Sequence, residues 1–146
     1  MWDMPLALAS QVTAADTLAR AIGEKVTSAE DAARLFRAVL PIVGGNEGLF
    51  VLPLDAERRV LSAPVLVSLG EPTTTVVQPG ETFAAALREN ASAIIIAHNH
   101  PGGTLAPSRE DVELTRRLGT VAEMLGLRLL DHLIVTKEGS ASVVSR

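Results

Sequence analysis

The chain has 146 residues, 47% of them hydrophobic, a formal net charge of −4 and no cysteine. That length without a long polar linker fits one domain whose core folds without staples, and the missing cysteine excludes a disulfide framework, a thiol nucleophile, a zinc ribbon and the cysteine-ligated zinc of nucleobase deaminases. The acidic balance leaves no surplus of cations to release counterions from phosphates, which argues against non-specific nucleic-acid binding while leaving a local basic patch open.

Two short helices are expected first. Thr13 and Asp16 read as a capping box ahead of Leu18, Ala19 and Ile22, and Ser28 and Asp31 repeat the pattern ahead of Ala32, Leu35, Phe36 and Val39. Pro41 and the Gly44-Gly45 pair end the second helix. Residues 48–54 and 59–67 read as a β-hairpin around "DAER", with Pro53 at an edge or a bulge, and "TTTVV" reads as a further short strand. "QPGETFAAALREN" places Pro79 in the first turn of a helix closing near Asn90, after which "ASAIIIA" is a buried strand leading into His98. "SREDVELTRRLGTVAEMLG" is the clearest helix: Leu114, Leu118, Val121 and Leu125 form one stripe, and Gly126 is its stop. "LRLLDHLIVT" and "SASVVS" close the chain as strands around "KEGS". Hairpins mixed with strand-helix-strand units predict an α/β fold with a mixed β-sheet flanked by helices. The apolar runs are shorter than a bilayer span and no basic segment precedes the first leucines, so a soluble, cytoplasmic protein with no membrane association is expected.

The chemistry concentrates in "AHNHPGG". Residues two apart in an extended strand share a face, so His98 and His100 aim their rings together, and Pro101 keeps the preceding backbone extended while ending the ladder. After the "GGTLAP" turn, Ser108 starts the long helix with Asp111 in its first turn, where the carboxylate can come back over the strand end. Two neutral imidazoles and a carboxylate are suitable ligands for tetrahedral Zn²⁺, with a fourth position open for water. The plainer reading also stands: Ser108 and Asp111 make a good capping box with no metal, and two loop histidines are often only polar surface residues.

The spacing His98-x-His100, seven residues, Ser108, two residues and Asp111 resembles the H-x-H-x7-S-x2-D signature of the JAB/MPN metalloprotease superfamily. "HNHPGG", "PSREDVELTRRL" and "LLDHLIV" are more similar to its bacterial RadC-type branch. The resemblance runs from about Thr27 to Val144, which gives a short N-terminal helical extension at 1–26 and a RadC-type domain at 27–146. It implies a cytidine-deaminase-like layer architecture and zinc-assisted hydrolysis of amide bonds in a peptide or an isopeptide-linked protein. It also implies a role for an upstream glutamate eight residues before the aspartate that ends the first strand, a relation in which Glu47 stands to Asp55. Without the resemblance Glu47 reads as a surface loop carboxylate. In the implied mechanism His98, His100 and Asp111 hold Zn²⁺, Glu47 is the general base and then the general acid, and the Ser108 hydroxyl helps to stabilise the tetrahedral oxyanion.

Several positions depart from the family pattern. Gly102, Thr104, Leu105 and Ala106 stand where a serine, an aspartate, a proline and a threonine are usual, and Gly80 replaces an arginine common before the central helix. The segment before Thr27 is too short for the helix-hairpin-helix region of full-length relatives, so DNA tethering by that region is expected to be absent. Asn99 is expected to point away from the histidines and to fix the loop through backbone hydrogen bonds. Asp131 and His132 are expected to be a buried polar pair satisfied within the sheet, in preference to a supporting role at the metal. Rival readings are a non-catalytic interaction module of the same fold, which the full set of five site residues argues against, and a DNA-repair-associated protein, which the charge argues against.

Overall fold

A computed structural model describes the backbone of residues 6–143 and the side chains from Ala14 to Val143. The elements are α1 (Leu6–Ala21), α2 (Ala29–Val39), a 3₁₀ turn (Leu40–Val43), β1 (Gly48–Leu54), β2 (Val65–Leu69), α3 (Pro79–Arg88), β3 (Ala93–Asn99), α4 (Arg109–Met124), β4 (Arg128–Val135) and β5 (Ser140–Ser142). The strands form one mixed sheet in the order β2-β1-β3-β4-β5, with only β3 and β4 parallel. That single parallel pair is the one joined through a helix, α4, as a crossover connection requires.

Period-two alternation sends each strand's side chains to opposite layers. Phe50, Leu52, Leu54, Ala93, Ile95, Ala97, Leu133 and Val135 pack with Ala32, Ala33, Leu35 and Phe36 of α2. Leu49, Val51, Ile94 and Ile96 pack with Phe83 and Ala86 of α3 and with Leu114, Leu118 and Ala122 of α4. Strand β3 is buried along its whole length, which explains its unbroken apolar run. Ser28 caps α2, its hydroxyl accepting the Asp31 N–H, as its sequence pattern predicts.

Four expectations need correction. Helix α1 already runs from Leu6, because the Leu and Ala residues before Thr13 are strong helix formers; Thr13 lies inside it, with its side chain outside the described ones, and Asp16 pairs with Arg20 at 3.2 Å instead of capping. "TTTVV" is a turn and not a strand: the Thr73 carbonyl accepts the N–H groups of both Val76 and Val77, and Val77 anchors it in the core. The second hairpin strand is interrupted before Pro64, so the ladder with β1 involves only Val65–Leu69, while residues 59 and 60 form isolated bridges. Pro53 belongs to an interior strand, but past the end of β2. Its carbonyl accepts the Leu61 N–H, and because N and C=O of an extended residue point to one side, the missing N–H removes nothing from the β1–β3 ladder.

Candidate metal centre

Strand β3 delivers the first candidate ligands. His98 follows Ile94 and Ile96 on the face covered by α3 and α4, and His100 lies just beyond the strand end. The His100 N–H still reaches the Val135 carbonyl at 3.4 Å, after which Pro101 stops the ladder and the Gly103 N–H closes a turn on the His100 carbonyl at 2.9 Å. Gly103 has φ of 87°, a left-handed conformation that suits glycine. The two rings meet edge to face, with centroids 4.8 Å apart.

Helix α4 delivers the third. Its apolar stripe docks on the same sheet face, which carries its first turn over the tip of β3. Ser108 caps it: the Ser108 hydroxyl accepts the Asp111 N–H at 3.0 Å, and Asp111 Oδ2 accepts the Ser108 N–H at 2.7 Å. The capping box therefore also fixes the direction of the carboxylate. Asp111 Oδ1 lies 3.2 Å from His98 Nε2, Asp111 Oδ2 lies 3.7 Å from His100 Nε2, and the two Nε2 atoms are 2.9 Å apart. One ligand atom from each of the three residues falls within 4.8 Å of the others. This donor set, two imidazole nitrogens and one carboxylate oxygen, fits a borderline-soft cation such as Zn²⁺ with a fourth position open.

Polar groups behind the ligands hold them in place. His100 Nδ1 meets the Thr104 carbonyl at 3.0 Å, so that contact comes from backbone and does not depend on the unusual side chain at this position. His98 Nδ1 meets His132 Nε2 at 2.8 Å, His132 Nδ1 meets the Thr115 hydroxyl at 2.6 Å, and that hydroxyl donates to the Asp111 carbonyl at 2.8 Å. Burial alone would raise the Asp111 pKa, but the hydrogen bonds from the His98 ring and the Ser108 N–H outweigh it and hold the carboxyl well below the usual carboxylate range. Burial pushes His132 down to about 3, so this ring is neutral near pH 7.

The structure thus brings His98, His100, Ser108 and Asp111 to one place. Glu47 is half-buried in the residue before β1, and its carboxylate is not one of the three converging ligands. Leu49 pairs with His98 as the last pair of the β1–β3 register, and Glu47 lies two residues before it. Asn99 points away from the ligands, as expected: its buried amide accepts the Gly48 N–H and donates to the Asn46 carbonyl, both at 2.8 Å, so it fixes the residues on either side of Glu47. Asp131 is satisfied within the sheet, accepting the His132 N–H at 2.8 Å and the Ser142 hydroxyl at 2.5 Å. His132 departs from expectation, because its ring turns to the opposite face and contacts a ligand. Thr115 had no sequence reading at all, although its place one helical turn after Asp111 is the signal that would have found it.

An α/β layer fold with two histidines at a strand tip and an aspartate on the following helix defines a JAB-type domain. The family model described as "RadC-like JAB domain" matches residues 26–146, and the chain belongs to that family. Relatives are the UPF0758 protein of Syntrophotalea carbinolica, 43% identical over 69% of this chain and 44% of its own length, and that of Trichlorobacter lovleyi, 48% identical over 62% and 39%. The UPF0758 protein of Caldanaerobacter subterraneus subsp. tengcongensis is 39% identical over 75% of this chain and 46% of its own length. The matched region therefore spans less than half the length of these relatives. Among the described residues no helix is long and apolar enough to cross a membrane.

Proposed function

We propose that this domain is a zinc-dependent hydrolase of amide bonds, acting on a peptide or an isopeptide-linked protein. The observation that carries the reading is the approach of His98 Nε2 and His100 Nε2 to 2.9 Å beside a buried carboxylate. Two ring nitrogens at that distance repel unless a proton or a cation lies between them, and the Asp111 charge favours a cation. A helix cap alone accounts for Ser108 and Asp111 but gives no reason for two histidines aimed at the carboxylate.

Zn²⁺ bound there would supply a Lewis acid and lower the pKa of a water molecule toward neutrality. His98 and His100 offer neutral nitrogens, while Asp111, oriented by its cap, brings one negative charge. Glu47 takes the proton from the attacking water and later gives it to the leaving amine. Ser108 Oγ accepts the Asp111 N–H and keeps its own hydrogen free to donate to the oxyanion that develops at the scissile carbonyl.

The test is zinc stoichiometry of the purified chain together with cleavage of a mixed peptide and isopeptide library, with and without chelator, read by mass spectrometry. One bound zinc and chelator-sensitive cleavage are expected. A folded protein that binds no zinc, or binds it and cleaves nothing, would overturn the reading and leave an interaction module.

A further inference from the structure

Behind His98 runs a chain of hydrogen bonds whose direction can be assigned atom by atom. The Asp111 carbonyl can only accept, so the Thr115 hydroxyl spends its one hydrogen there at 2.8 Å. Thr115 Oγ1 must then accept from His132, which places the hydrogen of His132 on Nδ1. With its hydrogen on Nδ1, the fully buried His132 ring presents Nε2 as an acceptor, and that nitrogen takes the His98 Nδ1–H at 2.8 Å. His98 is left with Nε2 as the position at which a proton can be exchanged for a cation. The chain starts and ends on metal-ligand residues, because the carbonyl that sets its direction belongs to Asp111 and the ring it orients is His98.

We propose that Thr115 and His132 are positioning residues that hold His98 in the Nδ1–H form, so that its Nε2 faces the site available for metal. This rests on the metal reading given above. His132 is fully buried, and no side-chain nitrogen or oxygen that is both described and buried lacks a hydrogen-bond partner, so the ring cannot turn over without breaking two bonds. Replacing the Thr115 hydroxyl by a methyl group removes the acceptor of His132 Nδ1–H. The favoured arrangement then reverses: His132 carries its hydrogen on Nε2, donates to His98 Nδ1, and forces the His98 hydrogen onto Nε2.

The experiment compares the parent chain, Thr115→Val and Thr115→Ser by histidine ¹⁵N–¹H correlation spectra of the metal-free proteins and by zinc competition against a chromophoric chelator. The parent and Thr115→Ser are expected to carry the His132 hydrogen on Nδ1. Thr115→Val is expected to carry it on Nε2 and to bind zinc about 10–100-fold more weakly. Unchanged zinc affinity with His132 still protonated on Nδ1 in Thr115→Val would overturn the proposal, as would an Nε2–H His132 in the parent, a measurement that does not need the variant to fold. A parent that binds no zinc defeats the metal reading, whereas the direction of the chain is still decided by the parent spectrum.

Discussion

Asn99 and Gly48 are joined just past the end of the β1–β3 ladder, where the Asn99 Oδ1 atom accepts the Gly48 N–H at 2.8 Å. The same amide donates to the Asn46 carbonyl, so a residue placed between His98 and His100 ties down both neighbours of Glu47. Asn99→Ala leaves a buried donor and an acceptor without partners, and a loss of about 1–3 kcal/mol in unfolding free energy is expected, read from urea denaturation. If Glu47 acts as proposed, Asn99→Ala also lowers kcat while zinc content stays at one per chain.

Gly48 itself is constrained by contacts on its other side. A Cβ at this position would lie 2.7 Å from Val43 Cγ1 and 2.9 Å from Leu66 Cδ1, and Val43 is a buried, rotamer-restricted side chain that cannot swing aside. Gly48→Ala is therefore expected to destabilise by about 1–3 kcal/mol through overpacking, seen as a lowered midpoint of thermal unfolding. A variant as stable as the parent would show that the 3₁₀ turn before β1 yields more readily than its packing indicates.

The convergence of His98, His100 and Asp111 was legible in the sequence because each position rests on a local rule. His98 and His100 share a face by strand periodicity, and Asp111 is in the first turn of a helix whose start Ser108 marks. The partner of His98 was not legible, because it depends on the register of two parallel strands joined through α4. The pairing shifts by one residue at Ile94/Ile95, from Ile94↔Leu129 to Ile95↔Asp131. Without that irregularity Asp131 would take the ligand face and His132 the other, since one residue of slip exchanges the two faces of a strand. Nothing in "LLDHLIV" shows the shift. "TTTVV" misled for a different reason: β-branched residues favour strands, but the Thr73 carbonyl accepts from Val76 and Val77 and turns this segment back on itself.

The start of α2 gives a pH-dependent prediction away from the site. Asp31 accepts from the Thr27 hydroxyl at 2.6 Å and from the Thr27 N–H at 2.9 Å, and these bonds hold its carboxyl below the usual range. A depressed folded-state pKa means that the unfolded chain binds the proton more readily; the stabilisation is present above the unfolded value near 4 and is lost as pH falls through the lower folded one. Asp31→Asn should therefore lower the thermal midpoint at pH 7, and the gap to the parent should narrow between about pH 5 and pH 2. The effect is small because the carboxylate is exposed. A gap that stays constant over that range would show that the Asp31 charge does not contribute.

Capping and metal binding by Asp111 can be separated with one atom. Asp111→Asn retains an oxygen that can accept the Ser108 N–H, so α4 keeps its cap and stability should change by no more than about 1 kcal/mol. The negative charge is lost, and zinc binding should fall at least about 100-fold in the same competition assay, as it should for His98→Ala and His100→Ala. Glu47→Gln has the opposite signature: the zinc stays at one per chain, because the residue is outside the ligand set, and amide hydrolysis drops by about 10²–10⁴-fold through loss of the proton carrier. Equal turnover by Glu47→Gln and the parent would remove Glu47 from the mechanism. Zinc affinity unchanged in Asp111→Asn would return Asp111 to the role of a helix cap.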